Sequence, residues 1–368
     1  MPLRSTNGVD FWRGVALASI FINHIPGFYF EKFTHRNFGI SDSAELFVFL
    51  AGWSARSLAG RRDTLSMMNM ILRVGARAVT LYAAQILITL LAIAMIAAAA
   101  LGFDNPLLLE WHNAAAVFQD PVRAHLGLVL LSHQLGFFDI LPLYVVLMGG
   151  AVLLAVVNRV APALILPCAV LLYLAAHVLR LNVPTWPVEG EWLFNPFCWQ
   201  LIFVLGFHLA GDGPVGFAAR HRQLLRLFGL AGVAMGLAIV HFKLWPDPMH
   251  MPEPALLFVI DKSYLSPLRL IHALAVVALF SGTFARFSPF FPRLTRFFCL
   301  LGRNSLYVFC VGSLASLAGQ LARFHFGGNI ITDGAVLLAG FAALGLTGWL
   351  SELRARLKEA AGTKSSAR

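Results

Sequence analysis

Long apolar runs separated by short polar joints dominate this chain of 368 residues. We interpret ten of these runs as transmembrane helices, because about 20 apolar residues in an α-helix cross the hydrocarbon core of a bilayer. They lie at about 11–30, 43–60, 78–101, 140–157, 163–180, 197–211, 225–242, 267–285, 299–321 and 332–350. Only 12% of the residues are charged, against about 25% in an ordinary soluble domain. The sequence therefore predicts an all-α, polytopic helical membrane protein with about ten transmembrane helices.

Basic and acidic residues occupy alternate joints between these runs. Arginine and lysine collect in 56–77, at 159, in 220–226, in 286–303 and in 354–368, whereas most acids fall in the other joints. Cytoplasmic loops carry this positive excess, so we expect both chain termini in the cytoplasm. The net charge of +10 thus reflects membrane orientation and does not indicate a nucleic-acid partner. We expect one integral membrane domain at 1–352 and a basic cytoplasmic tail at 353–368.

The four cysteines give no metal or disulfide pattern. All lie in or beside apolar runs and none forms a CxxC pair, which disfavours zinc, iron–sulfur and disulfide assignments. The joint at 102–139 is different, because its apolar middle is broken by Pro121 and Asp139. We expect interfacial or re-entrant helices there and no clean span.

Three ionisable residues lie in the stretch 9–27, which covers most of the first apolar run: Asp10, Arg13 and His24. At 100° per residue, Arg13 and His24 are about 20° apart around a helix and about 16 Å apart along it. Arg13 would lie near the cytoplasmic entrance and His24 in the outer half of the bilayer. Arg13 pairing with Asp10 and His24 bonding a neighbouring carbonyl would explain both structurally. Ionisable residues at membrane depth usually line a pathway, however, and an imidazole there is a candidate general base.

The second run opens with Asp42 and Glu45, three residues apart. This spacing is typical of a capping box, with both acids at the positive end of a helix. Alternatively, Glu45 lies one turn further in and would meet His24, orienting the imidazole and stabilising its cationic form. Arg36 and Asn37 lie in the loop just before, close to the same mouth.

Further polar residues interrupt the apolar runs at both faces. The residues at the outer face suit binding of a hydroxylated acceptor, and those at the inner face suit binding of phosphates from the cytoplasm. Alternatively, positive-inside orientation alone would explain most of the surface arginines. The candidate residues are His24, Glu45, Asp42 and Arg13 for catalysis; Arg13, Arg303, Asn304 and Ser305 for the phosphorylated donor; and Arg36, Asn37, Asn195, Trp199, Gln200, Lys262, Arg269 and His272 for the acceptor. Tryptophans in the outer joints suit either sugar stacking or membrane anchoring.

The spacing from Arg13 to His24 resembles the Arg-x10-His pattern of the acyltransferase-3 superfamily of membrane acyltransferases. More specifically, "TNGVDFWRGVALASIFINHIPG", "THRNFGISDSAELFVFLAG", "NPFCWQ", "KSYLSPLR" and "LGRNSLYVF" are similar to the OpgC family. The resemblance runs over most of the chain. It implies a multi-pass protein of the bacterial inner membrane that succinylates osmoregulated periplasmic glucans from succinyl-CoA. It also implies that the superfamily's essential Arg and His are Arg13 and His24.

Our hypothesis from the sequence is an O-acyltransferase that uses acyl-CoA as donor, a periplasmic glucan as acceptor and no metal. His24 would act as general base, or would itself carry the acyl group. Alternatives are an O-acetyltransferase for another cell-envelope saccharide, a proton-coupled transporter using His24, Glu45 and His272, and a glucan-binding subunit without chemistry. Repeated halves with matching broken helices, common in transporters, are not visible in the sequence. Self-association and contact with glucan-synthesis proteins are further expectations.

Overall fold

A computed structural model describes residues 6–60 and 65–365. The fold is 76% helix, and no strand occurs in this described part of the chain, which confirms the all-α prediction. Arg61 and Arg62, two of the predicted cytoplasmic basic residues, lie outside the described residues, as do the last three residues of the tail. The α-helices are α1 Gly8–Asn23, α2 Ser43–Ala59, α3 Met67–Gly102, α4 Ala115–Gln119, α5 Pro121–Val129, α6 Ile140–Val160, α7 Ile165–Val178, α8 Pro196–Leu209, α9 Asp212–Arg220, α10 Arg222–His241, α11 Pro267–Phe280, α12 Phe284–Phe287, α13 Pro292–Arg303, α14 Ser305–Phe326 and α15 Ile330–Ser365.

Five helices, α3, α6, α10, α14 and α15, are long and apolar enough to cross a membrane. Helices α7, α8 and α11 are apolar but shorter. The chain is therefore a multi-pass membrane protein by helix length and composition, while ten spans and the cytoplasmic termini stay predictions. Two helices extend well beyond the predicted runs, since α3 begins at Met67 and α15 continues to Ser365.

Three predicted spans have different bounds in the structure. Helix α1 ends at Asn23, not near residue 30, because Pro26 cannot continue the helix and Gly27 takes φ +68°. Helix α11 ends at Phe280, just before Gly282 with φ +75°. The span predicted at 299–321 is broken at Asn304 (φ −104°, ψ 31°), whose side-chain amide donates to the carbonyl of Leu300 at 2.9 Å. Local turn chemistry thus ends these helices inside apolar sequence.

Unit 1, one of two compact units, comprises residues 6–34 and 280–365 among those described. Helix α1 packs on α13 at glycines on both sides: a Cβ on Gly14 would lie 2.0 Å from the Phe298 carbonyl oxygen, and one on Gly302 would lie 1.8 Å from that of Asp10. Small residues permit this backbone approach, as is common between membrane helices. The ring of Phe11 packs against Phe298, at 5.7 Å between centroids.

Unit 2 comprises residues 35–279, apart from the gap at 61–64. Helices α2 and α8 pack closely at Gly52 and Gly206, and α3 packs along α6. As predicted, the joint at 102–139 does not form a long span: it folds into a 3₁₀ helix, α4 and α5. The loop around Trp186 is hydrogen-bonded to the segment 102–139, because the Trp186 amide donates to the Ser132 carbonyl at 3.2 Å.

Candidate active site

The first turns of α1 in unit 1 hold a polar group at the end of an apolar helix. Asn7 caps the helix by accepting from the Asp10 amide at 2.8 Å, and its own side chain donates to the Asp10 carboxylate at 2.6 Å. Arg13 lies one turn later, with Nη1 3.6 Å from Asp10 Oδ1 and 3.4 Å from the Gly302 carbonyl oxygen. The predicted Asp10–Arg13 pair is confirmed. Arg13 is only 13% exposed, so its charge lies within the helix packing.

His24 is the C-cap of α1 and lies just beyond the helix body. Its backbone amide still donates to the Ile20 carbonyl at 3.0 Å, so the helical path continues to this residue. The imidazole is partly buried. His24 is thus the residue at which the chain leaves the α-helical path of α1.

Arg303, Asn304 and Ser305 lie together at the junction of α13 and α14, next to the Gly302 carbonyl that Arg13 contacts. Arg303 Nη1 is 3.3 Å from Glu352 Oε1, and its Nε donates to the Cys299 carbonyl at 3.1 Å. Unit 1 thus brings two of the predicted donor-binding arginines to one region. Arg303 has a carboxylate partner there, and phosphate binding by it stays a prediction.

A cluster of four charged side chains forms in unit 2 around the start of α2. Lys262 Nζ is 2.7 Å from Asp42 Oδ2, and Arg269 Nη2 is 3.2 Å from the same oxygen. Arg269 also pairs through Nε with Glu45, which is 1% exposed. Asp42 and Glu45 form the predicted capping box: the Ala44 amide donates to Asp42 and the Asp42 amide donates to Glu45. Two carboxylates and two cations therefore compensate one another in this charged cluster.

Burial and the charged cluster act together on the pKa of the acids and of the histidine at this site. Burial opposes ionisation of Asp42, but Lys262 and Arg269 overcome this and hold the pKa of its carboxyl far below the ordinary value. Asp139, just before α6, behaves oppositely: burial raises its pKa to about 6, against the pull of Lys262. Burial also lowers the pKa of His35, which favours the neutral imidazole. Neither Asp139 nor His35 belongs to the predicted set. An acid at the start of an apolar run was the signal for Asp139.

His272 of α11 lies one turn after Arg269 and is 1% exposed. Its Nδ1 is 2.7 Å from the hydroxyl of Ser41, a residue that the sequence analysis did not select. Gly39 and Gly236 leave space for the ring, because a Cβ on either would lie within 2.4 Å of an imidazole atom. The Ser41 hydroxyl and the backbone at Gly39 and Gly236 thus hold His272 next to the charged cluster in unit 2.

Three predicted acceptor-binding residues make structural contacts at the start of α8. Asn195 caps the helix, accepting from the Phe197 amide at 3.0 Å. Trp199 is fully buried and its Nε1 donates to the Lys262 carbonyl at 3.0 Å, while Gln200 donates to the Ala169 carbonyl at 2.8 Å. Substrate contact by these three stays a prediction. By contrast, Arg36 and Asn37 are exposed in a 3₁₀ turn before α2.

The described residues form an all-helical fold with five helices of membrane-spanning length, which defines the class of multi-pass membrane proteins. Residues 4–356 match a family model described as OpgC protein, and the chain belongs to the OpgC family. Membership implies an acyltransferase that acts on periplasmic glucan. Searches of curated proteins and of solved structures gave no match. Membership of the acyltransferase-3 superfamily stays a prediction.

Proposed function

We propose that this protein is an O-succinyltransferase of the bacterial inner membrane. It moves a succinyl, or another short acyl group, from cytoplasmic acyl-CoA to a hydroxyl of a periplasmic glucan, and His24 is the general base. The observation that carries the proposal is the family match over 4–356, which includes Arg13 in α1 and His24 at the C-cap of that helix.

In the proposed reaction, the glucan hydroxyl oxygen attacks the thioester carbonyl carbon while His24 removes the hydroxyl proton. The carbon–sulfur bond then breaks, and the imidazolium returns the proton to the departing thiolate of coenzyme A. A positioned base of this kind is worth about 10²–10⁴-fold in rate.

Arg13 and Arg303 support binding of the donor phosphates, since guanidinium groups bind phosphate oxygens in pairs of hydrogen bonds. In unit 2, we assign glucan binding to the exposed Arg36 and Asn37 and to the charged cluster, whose side chains donate and accept hydrogen bonds as sugar hydroxyls require. Orientation of His24 by Glu45 or Asp42 stays a prediction from the sequence.

The decisive experiment measures transfer of radiolabelled succinyl groups from succinyl-CoA to purified glucan by the full-length protein in nanodiscs. We expect His24→Ala to lower turnover by at least about 10²-fold. His241→Ala is the matched control, because His241 is also at the C-terminal end of a helix but is exposed, and it should transfer normally. Normal transfer by His24→Ala would refute the proposal.

Two parallel reactions test the finer assignments. Acetyl-CoA in place of succinyl-CoA tests the donor, and an unrelated cell-envelope saccharide tests the acceptor. A transporter would show no transfer in nanodiscs with either donor, since it forms no covalent product.

A further inference from the structure

The segment that follows α1, residues 24–29, has backbone groups that the helix cannot satisfy. The last carbonyls of a helix have no intrahelical partner, and Pro26 brings no amide hydrogen. Gly27 takes φ +68°, which turns the chain sharply away from the helix axis. In apolar surroundings each unpaired carbonyl is costly, so partners must come from elsewhere. We call this segment the 24–29 turn.

Helix α14 supplies those partners. Gln320 Nε2 donates to the carbonyl oxygen of His24 at 2.5 Å. Arg323, three residues later and on the same face, donates through Nη1 to the Pro26 carbonyl and through Nη2 to the Gly27 carbonyl, the latter at 2.8 Å. Three carbonyls of the 24–29 turn are thus bound by two side chains of one helix.

Helix α15 completes the arrangement through Asp333, which is 2% exposed. Asp333 Oδ1 lies 2.7 Å from Arg323 Nε, and its Oδ2 accepts from the Tyr29 amide at 2.8 Å. One carboxylate therefore fixes the guanidinium and also the far end of the 24–29 turn. A buried carboxylate paired in this way has a defined position, since leaving it without its cation is strongly unfavourable.

We propose that Gln320, Arg323 and Asp333 are positioning residues that fix the backbone of His24 and thereby the direction of its imidazole. This inference rests on the proposed role of His24 as base. His24 lies beyond the body of α1, so no following helical turn holds its carbonyl, and Gln320 takes that place. A displacement of about 1 Å of a reacting group can cost about 10²-fold in rate, which is why a fixed backbone matters at this residue.

The test replaces the donor of Gln320 and leaves the base itself unchanged. Gln320→Glu keeps the size of the side chain but loses the amide donor, and Gln320→Met removes it without adding charge. We expect both to lower kcat by about 10- to 100-fold while the KM values for succinyl-CoA and glucan stay within about twofold. Ser316→Ala is the matched control: Ser316 lies one turn earlier on α14 and donates to the Phe21 carbonyl at 2.9 Å. Its removal leaves the 24–29 turn and the three side chains that bind it in place, so kcat should be unchanged.

A double-variant comparison separates positioning from a general loss of structure. In a His24→Ala background, Gln320→Met should cause no further loss of residual transfer, because there is no imidazole left to orient. An additional loss there, or an equal effect of Ser316→Ala, would assign Gln320 a purely structural role and overturn the inference. If His24→Ala is inactive and Gln320→Met transfers normally, the positioning role of Gln320 is wrong, while the role of His24 as base stands. If His24→Ala transfers normally, the proposed function falls, and the positioning falls with it.

Discussion

Replacing Gly14 by alanine tests the close contact between α1 and α13. The added Cβ would lie 2.0 Å from the Phe298 carbonyl oxygen, whereas ordinary contact begins at 3.4 Å. The two helices would have to separate locally by roughly 1.4 Å. The same interface is equally close at Gly302, where an added Cβ would lie 1.8 Å from the Asp10 carbonyl oxygen. Arg13 would also lose its 3.4 Å contact with the Gly302 carbonyl.

Overpacking of this kind costs about 1–3 kcal/mol. At about 2–4 °C per kcal/mol, Gly14→Ala should lower the unfolding temperature in detergent by roughly 2–12 °C. Displacement of α1 should also lower acyl transfer, because Arg13 and His24 move with it.

Gly75→Ala is the control, since Gly75 lies in α3 with nothing within 4 Å of the added Cβ. It should gain up to about 1 kcal/mol from the higher helix propensity of alanine. Equal unfolding temperatures for the two variants would refute the reasoning from close approach.

Two further predictions concern the charged cluster and its edge. Arg269→Met leaves the buried Glu45 carboxylate without its cation, so the free energy of unfolding should fall by about 3–5 kcal/mol. The double variant Arg269→Met/Glu45→Leu should recover part of this, and denaturation curves that show no recovery would contradict the pairing. Because burial raises the pKa of Asp139 to about 6, the folded protein binds a proton there between about pH 4 and 6 that the unfolded chain does not. The free energy of unfolding should therefore rise as pH falls through 6, and Asp139→Asn should lack that rise. An identical pH dependence of the unfolding temperature in both proteins would show that the raised pKa of Asp139 is wrong.

Much of the fold was predictable because it depends on local sequence. Apolar runs predicted the helices, and the Asp42–Glu45 spacing predicted the capping box, since both partners lie within one turn. The end of α1 was missed, although Pro26 and Gly27 carry the signal, because the apolar run continues past them. Hydrophobicity places a helix in the membrane but does not determine where turn chemistry ends it.

The sequence predicted several residues of the candidate site but did not predict which of them pair with each other. Arg269 and Glu45 are 224 positions apart, and no local pattern indicates that they meet. Gln320 and Arg323 were missed entirely. Two polar residues with long side chains, three apart in the largely apolar α14, were the available signal. They share a face of the helix because residues three apart are neighbours on its surface.

The order of synthesis follows from the composition of unit 1, whose parts lie at both ends of the chain. The roughly 245 intervening residues take about 12–50 s to translate at 5–20 residues per second. During that interval α1 has neither α13 nor α14 to pack against. Asp10 and Arg13 lie one turn apart on α1 and pair with each other. This ion pair can therefore form within α1 itself, before α13 is synthesised. The ion pair at the start of α1 thus depends on one turn of the chain, whereas the packing of α1 depends on segments that are made much later.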